Sequence, residues 1–287
     1  MQSWHSLQEF SDLESVFRSA LPLYDGSRKV SLVAHSDLQG VLAMAQLEAA
    51  FIDSGLSFSR RFVSSRKQMV EVAAPFIKVT SFGDDDPGTQ LEDGGLVISP
   101  KEMEFDIGTS GNRRNGVIEQ VAQCAVLAEM LSSGSPLIKR LRPWALAGAW
   151  LRDSMDTAFD AQYSRIKDLL CEEGSIRTVC IVEVEDCEVL GLSGISTSLL
   201  NRMRRRWDSM DLEQRSSAMS DLMLPALENE MPSTARIEEL GWKRVLSKDW
   251  KMDMATMLHR AQQEWPEGGD QLHSSRLLDG LLRTGEL

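Results

Sequence analysis

The stretch VSLVAHSDLQG, Val30 to Gly40, decides how this chain is read. Val30-Ser31-Leu32-Val33-Ala34 reads as a buried strand, because a parallel sheet covered on both faces takes short, near-continuous apolar runs. The run ends in His35 and Asp37, and Gly40 then opens VLAMAQLEAAFI. That segment is apolar nearly all round, which predicts a buried helix over Gly40 to Ile52. In open α/β sheets, ligands bind at the carboxyl ends of the strands, so His35 and Asp37 stand where a metal or phosphate site belongs. Gln39 is at odds with that reading, for it stands where a second carboxylate would be useful.

The same alternation continues on both sides. Leu7, Phe10, Leu13, Val16, Phe17 and Leu21 recur at helical spacing and predict an amphipathic helix over Ser6 to Ala20. Beyond Asp53-Ser54-Gly55, Leu56 to Val63 is a second strand and Gln68 to Ala74 a short helix ended before Pro75. Phe76 to Val79 and Gly95 to Ile98 are a third and fourth strand, separated by the acidic turn GDDDPG. Gly116 to Leu131 and Pro143 to Asp153 are expected helices. This order predicts an α/β domain with a doubly wound, mainly parallel sheet over residues 1–155.

Residues 156–287 read as a smaller α+β domain with a helical tail. Ile176 to Val184 is a strand whose expected partner is Glu188 to Leu192. Ser196 is the expected cap of a helix with Leu199, Leu200, Met203 and Trp207 on one side and Arg202, Arg204, Arg205 and Arg206 on the rest. Glu213 to Asn229, Thr234 to Leu240, Lys248 to Trp265 and Ser274 to Arg283 are read as helical.

A net charge of −12 argues against a protein whose whole surface embraces nucleic acid, while leaving room for a local basic groove. The four cysteines form no C-x-x-C pair, so a structural zinc site is not expected and the chain reads as reduced and cytosolic. No charged-then-apolar leader is evident, and no apolar run approaches the roughly 20 residues that span a bilayer. There is no Walker loop, G-x-G-x-x-G, G-x-S-x-G or H-E-x-x-H.

The strand ends supply the candidate groups: His35 and Asp37; Asp84, Asp85 and Asp86; Ser99-Pro100-Lys101; and Asp153 at the close of a helix. Each has an ordinary alternative. A histidine at a strand end is often only hydrogen-bonded, Asp37 can be a helix cap, GDDDPG can be a solvated loop and Asp153 can hold a turn. Gly111 to Gly116 reads as a loop whose Arg113 and Arg114 can pair with a phosphate or be solvated. Arg60-Arg61 with Arg66-Lys67, Lys139-Arg140 with Arg142, and Arg202 to Arg206 (Arg202 and Arg205 among them) form a track for single-stranded DNA only if they converge. Trp242, Trp250 and Trp265 read as packing or interface anchors.

HSDLQG followed by a small-residue helix resembles the first motif of the DHH phosphoesterases, the superfamily of the RecJ nucleases, which reads His-x-Asp-x-Asp followed by Gly or Ala. Ala145 to Asp153, ALAGAWLRD, resembles the family's later Ala-Gly-x-x-x-Asp helix, and Val117 to Leu131 sits where the family places the helix after its histidine pair. The likeness covers roughly residues 28–155. It implies two manganese or magnesium ions held by histidine and aspartates, generating hydroxide for displacement at phosphorus. His35 and Asp37 match the first two ligands. Gln39 replaces the third, Ser99-Pro100-Lys101 falls where the Asp-His-His is expected, and Asp84 and Asp153 are the remaining acids. An amide cannot supply the missing charge and a lysine repels a cation.

The resemblance therefore implies a degenerate, RecJ-like member with no catalytic residues and no cofactor. Inactive members of the superfamily serve as scaffold subunits of the archaeal and eukaryotic replicative helicase, docking between the MCM ring and the GINS complex. The implied place is nuclear, or cytoplasmic and nucleoid-associated. The alternative is a manganese-dependent single-strand exonuclease or small-nucleotide phosphodiesterase using His35, Asp37, Asp84 to Asp86 and Asp153. A third reading is an interaction module unrelated to replication whose partner meets the C-terminal helices.

Overall fold

The computed structural model describes all residues but 1–2, 8–9, 27, 65–70, 81–87, 108–111, 153–159, 186, 191 and 229–231, together with the side chains of 105–107 and 112–115. The elements in chain order are α1 (Ser11–Ala20), β1 (Val30–His35), α2 (Leu38–Asp53), β2 (Phe58–Val63), β3 (Phe76–Val79), β4 (Gln90–Glu92), β5 (Gly95–Ile98), β6 (Lys101–Ile107) and β7 (Asn112–Ile118). Then come α3 (Gln120–Leu131), α4 (Pro136–Leu141), α5 (Ala147–Leu151), α6 (Ala161–Glu172), β8 (Ile176–Val179), α7 (Thr197–Arg206) and α8 (Leu212–Leu227). α9 (Thr234–Gly241), β9 (Arg244–Ser247), α10 (Met254–Gln263) and α11 (Gln271–Thr284) complete the chain.

The central sheet runs β2-β1-β3-β5-β4. β2, β1, β3 and β5 are parallel, and β4 returns antiparallel along β5. The expected mainly parallel, doubly wound sheet is what forms. Because β1 is flanked by β2 on one side and β3 on the other, the winding reverses at β1. The crevice at such a switch point lies beyond the carboxyl end of the strand, which here is His35.

α2 is covered all round by α3, α4, α5 and α11, which its composition requires. Its two buried polar residues find partners. Gln46 Nε2 donates to the Leu141 carbonyl at 2.8 Å, and Glu48, 1% exposed, accepts from Arg60 Nε and Nη2, both at 2.6 Å. One continuous apolar core extends from Trp4 to Leu281, and a second cluster gathers around α7, α8 and α9.

Several local expectations change. Of the loop expected at Gly111 to Gly116, Gly111 lies outside the described residues; Asn112 to Gly116 and the first turn of the expected Gly116 helix are instead β7, paired with β6 from Lys101↔Ile118 to Ile107↔Asn112. The ladder satisfies backbone groups that a loop would leave to water. β8 pairs antiparallel with β9, not with Glu188 to Leu192, and its last pair is Val179↔Arg244. Beyond that pair the backbone has no ladder partner and turns into a 3-10 helix over Ile181–Glu183, so the expected strand stops short of Val184. The helix expected over Gln68 to Ala74 falls partly outside the described residues, and 71–74 are not helical. Pro143 to Asp153 divides into a 3-10 turn, Arg142–Leu146, and α5. No described helix is long and apolar enough to cross a membrane.

Candidate functional site

The rim of the sheet at β1 is built by a tight strand-to-helix turn. Asp37 is the N-cap of α2, and its carboxylate accepts the Gly40 N–H at 2.7 Å. A Cβ on Gly40 would lie 2.2 Å from the His35 carbonyl oxygen, so only glycine lets the helix begin this close to the strand. Burial pushes the Asp37 carboxyl above its ordinary range, opposed by the Gly40 N–H and by His35. His35 is half-buried, and its Nδ1 is buried without a hydrogen-bond partner among the described residues.

Gln39 is bound into the scaffold. Its Oε1 accepts from Gln120 Nε2 at 2.6 Å, and its Nε2 reaches the Gly148 carbonyl at 3.4 Å. The amide thus joins the starts of α2 and α3 to α5, a task needing both a donor and an acceptor. Glu119, immediately before α3, is 2% exposed and pairs with Arg152 Nη1 at 2.8 Å. Burial pushes its carboxyl up and Arg152 pulls it down. Gly148 permits the approach, since a Cβ there would lie 2.7 Å from Glu119 Cβ. Sequence reading did not find Glu119, because no local spacing links it to Arg152; a buried acid is legible only once its helix is packed.

At Ser99 the structure places a buried backbone knot. The Ser99 N–H donates to Thr89 Oγ1 at 3.1 Å, and the Ser99 carbonyl oxygen lies 2.9 Å from Thr89 Oγ1 and 2.6 Å from Gln123 Nε2. Pro100 follows, and Lys101 begins β6. Asp84, with Asp85 and Asp86, and Asp153 lie outside the described residues, and so do the side chains of Arg113 and Arg114 on β7. Arg202 and Arg205 are exposed on α7, which packs in the second cluster and not on the elements that build the rim.

The rim is also touched by the C-terminal segment. Ser36 Oγ and Ser274 Oγ, both buried, are 2.7 Å apart, and Ser64 Oγ donates to the Gly268 carbonyl at 2.9 Å. Gly269 has φ +76°, and a Cβ there would lie 2.3 Å from the Ser36 carbonyl oxygen. Arg60, paired with Glu48, also meets Asp279 of α11 at 2.8 Å. The turn before α11 therefore seats directly on the ends of β1 and β2.

Part of the basic clusters is drawn into internal ties, while Arg61, Lys139, Arg202, Arg205 and Arg206 are exposed. Arg60 is held by Glu48 and Asp279. Arg142 pairs with Glu129 at 3.3 Å and Glu173 at 3.0 Å and covers Trp4, and Arg140 donates to the Leu282 carbonyl. Trp250 packs tilted against Trp144, ring centroids 4.5 Å apart, and both indoles donate to the Gly285 carbonyl. No disulfide links the cysteines, and burial pushes all four thiols up, away from thiolate reactivity.

A pair of divalent cations needs several anionic oxygens. Among the described residues, no three histidine, cysteine or acidic side chains gather to hold a metal. The described part of the rim offers His35 and an Asp37 already bound to a backbone N–H, and that set does not fit a two-metal centre.

No protein-family model matches the chain. No curated protein matches it in sequence. Among solved structures, the crystal structure of CDC45 from Entamoeba histolytica is similar, with a TM-score of 0.50, 10% identity, and coverage of 96% of this chain and 69% of that one. At that identity the likeness is one of fold: the α/β architecture is similar to that of CDC45.

Proposed function

We propose that this chain is a catalytically inactive, RecJ-like scaffold subunit of a replicative DNA helicase assembly, docking with GINS and the MCM ring. The observation that carries the reading is a coincidence of two facts. The fold is similar to that of CDC45 along 96% of the chain, while Asp37, Gln39 and Ser99 at the rim are engaged in structural bonds. Asp37 caps α2, Gln39 bridges three helices, and the position expected to bear the acid and histidines is a buried backbone knot. A chain of net charge −12 disfavours indiscriminate DNA binding and allows steered docking on basic partner surfaces. On this reading the protein acts at chromosomal DNA, with no cofactor, and Arg113, Arg114, Arg202 and Arg205 are the candidates for any contact with single-stranded DNA.

The second reading, a manganese-dependent nuclease or small-nucleotide phosphodiesterase, draws on one feature: the buried, unpartnered Nδ1 of His35 at the switch point. With Asp37, Asp84 to Asp86 and Asp153 it would form the ligand set. Two experiments separate them. Affinity purification of the tagged chain is expected to recover GINS or MCM subunits, and calorimetric titration with Mn²⁺ is expected to be silent. Tight binding at two sites, with manganese-dependent hydrolysis of single-stranded DNA or a dinucleotide lost in Asp37→Ala, would overturn the scaffold reading.

A further inference from the structure

The chain leaves the main body at Val179 and re-enters it at Arg244, and these two residues face one another across the β8–β9 ladder. Residues 180–243 are therefore an insertion whose two ends meet at one neck. The insertion has a core of its own. The second apolar cluster, running from Ile181 through Met203 and Met223 to Leu240, lies within it but for Ala255 of α10 and the partly buried Trp150. α7 packs on α8, α8 on α9, and α9 on the neck strand β9. A separate core and adjacent ends are the marks of an inserted structural unit.

The neck is closed by a small apolar cluster of Val179, Val184 and Leu246. It is also pinned by wholly buried Arg244, which pairs with Asp253 and donates to the Leu240 and Glu188 carbonyls at 2.6 and 2.9 Å. The Glu188 carboxylate accepts from Arg260 of α10 at 2.7 Å. A further set of ties is made by α9 to α5 and α6. Glu239 pairs with Lys167, and Tyr163 Oη donates to Glu239 Oε2 at 3.2 Å. Arg236 Nη1 donates to the Trp150 carbonyl at 3.1 Å, and its guanidinium lies 4.4 Å from the centre of the Trp150 ring.

These ties are buried and charged, and that decides how they behave. The cost of drying two charges offsets most of their attraction, and parting the surfaces returns both to water. An apolar contact of the same extent regains nothing when it opens. Removing one charged partner alone is a different matter, because it strands the other charge in the closed form.

We infer that residues 180–243 move as a body about the Val179–Arg244 neck, and that Arg236 and Glu239 of α9 are the latch that closes them onto α5 and α6. Closed, the latch also borders the rim: Arg236 Nη2 reaches the Arg152 carbonyl at 3.5 Å, while Arg152 Nη1 pairs with Glu119. Open, it bares Tyr163, Lys167 and the ring of Trp150. The inference rests on this neck and latch alone, so it stands or falls apart from the replication reading.

The test is hydroxyl-radical oxidation of the full chain, read by mass spectrometry, with each rate taken relative to the unfolded chain. Tyr163, 1% exposed, reports the latch; Trp144 and Met223, both 0% exposed, report the main core and the core of the insertion. In the parent, Tyr163 is expected to oxidise faster than Trp144 and Met223. Glu239→Gln strands Lys167 and is expected to raise the Tyr163 rate about tenfold or more, with Trp144 and Met223 unchanged. Lys167→Met/Glu239→Leu makes the contact apolar and is expected to bring the Tyr163 rate below that of the parent. Arg236→Gln is expected to raise it, and serves with the apolar pair if Glu239→Gln disturbs folding. A Tyr163 rate as low as that of Trp144 in the parent and unmoved in the folded variants would make the contact a fixed interface and overturn the proposal. A joint rise of Tyr163, Trp144 and Met223 would also overturn it, because the insertion would then open only with the whole chain.

Discussion

Asp37 is where the structural and the catalytic accounts of the rim part company. Asp37→Ala removes the oxygen that accepts the Gly40 N–H at 2.7 Å and leaves that buried donor without a partner. Loss of an N-cap costs about 1 kcal/mol, rising to about 2 kcal/mol where the donor is shielded from water. For a chain of this length that is a fall in Tm of about 2–4 °C for each kcal/mol. Asp37→Asn keeps an acceptor oxygen in the same place, so its unfolding free energy should stay within about 0.5 kcal/mol of the parent at neutral pH. A metal ligand would behave differently, because the amide is neutral and the cation loses its charge partner.

The pH dependence sharpens the test. Burial raises the folded-state pKa of Asp37 above its unfolded value near about 3.9. Stability associated with the protonated acid is fully present below the unfolded value and is lost as pH rises through the folded one. The asparagine variant has nothing to ionise and escapes that loss. Its stability relative to the parent should therefore rise from about pH 4 upward and level off once the parent carboxyl is ionised. Urea unfolding of the parent and both variants across acid to neutral pH, with and without Mn²⁺, measures this directly. The reasoning fails if Asn is as harmful as Ala, if the relative stability runs the other way with pH, or if manganese stabilises the parent but not Asp37→Asn.

Other positions make equally direct tests. Gly40→Ala sets a methyl 2.2 Å from the His35 carbonyl oxygen and should lower unfolding free energy by about 3 kcal/mol, read by urea titration. Asp253→Ala should cost about 3–5 kcal/mol in the same assay: Arg244 and Asp253 are wholly buried 3.0 Å apart, and the carboxylate also caps α10 at Thr256. Gly269→Ala must shift the turn before α11 off Ser36, and hydrogen exchange should quicken across 266–275 while the middle of α2 keeps its protection.

Much of this fold could be read from local chemistry. β1, β3 and β5 are short, mostly apolar runs, α2 is almost uniformly apolar, and Ser196 accepts the Leu199 N–H as a cap should. The β6–β7 hairpin was legible in principle: KEMEFDI alternates apolar and acidic residues with the period of a strand. The turn formers around Arg113 and Arg114 mask that period in the second strand. The pairing of β8 with β9 was not legible, because α7, α8 and α9 intervene and nothing in either strand names its partner. The same holds at the rim. His35, Asp37 and Gln39 declare themselves by spacing, whereas the Glu119–Arg152 pair and the seat of Gly269 on Ser36 exist only after helices pack.

Those long-range contacts bear on why the rim keeps its shape. A site built to hold cations concentrates like charge, and without the ions that charge drives the ligands apart. Here the buried acid beside α3 is balanced by Arg152, and the acid on α2 is put to work on a backbone N–H. Gln39 then joins the two helix starts without adding charge, since an amide both donates and accepts. An aspartate at that position would crowd a third carboxylate among Asp37 and Glu119 and forfeit the reach to Gly148. On this physical argument the glutamine is the residue that lets the switch point hold together on its own.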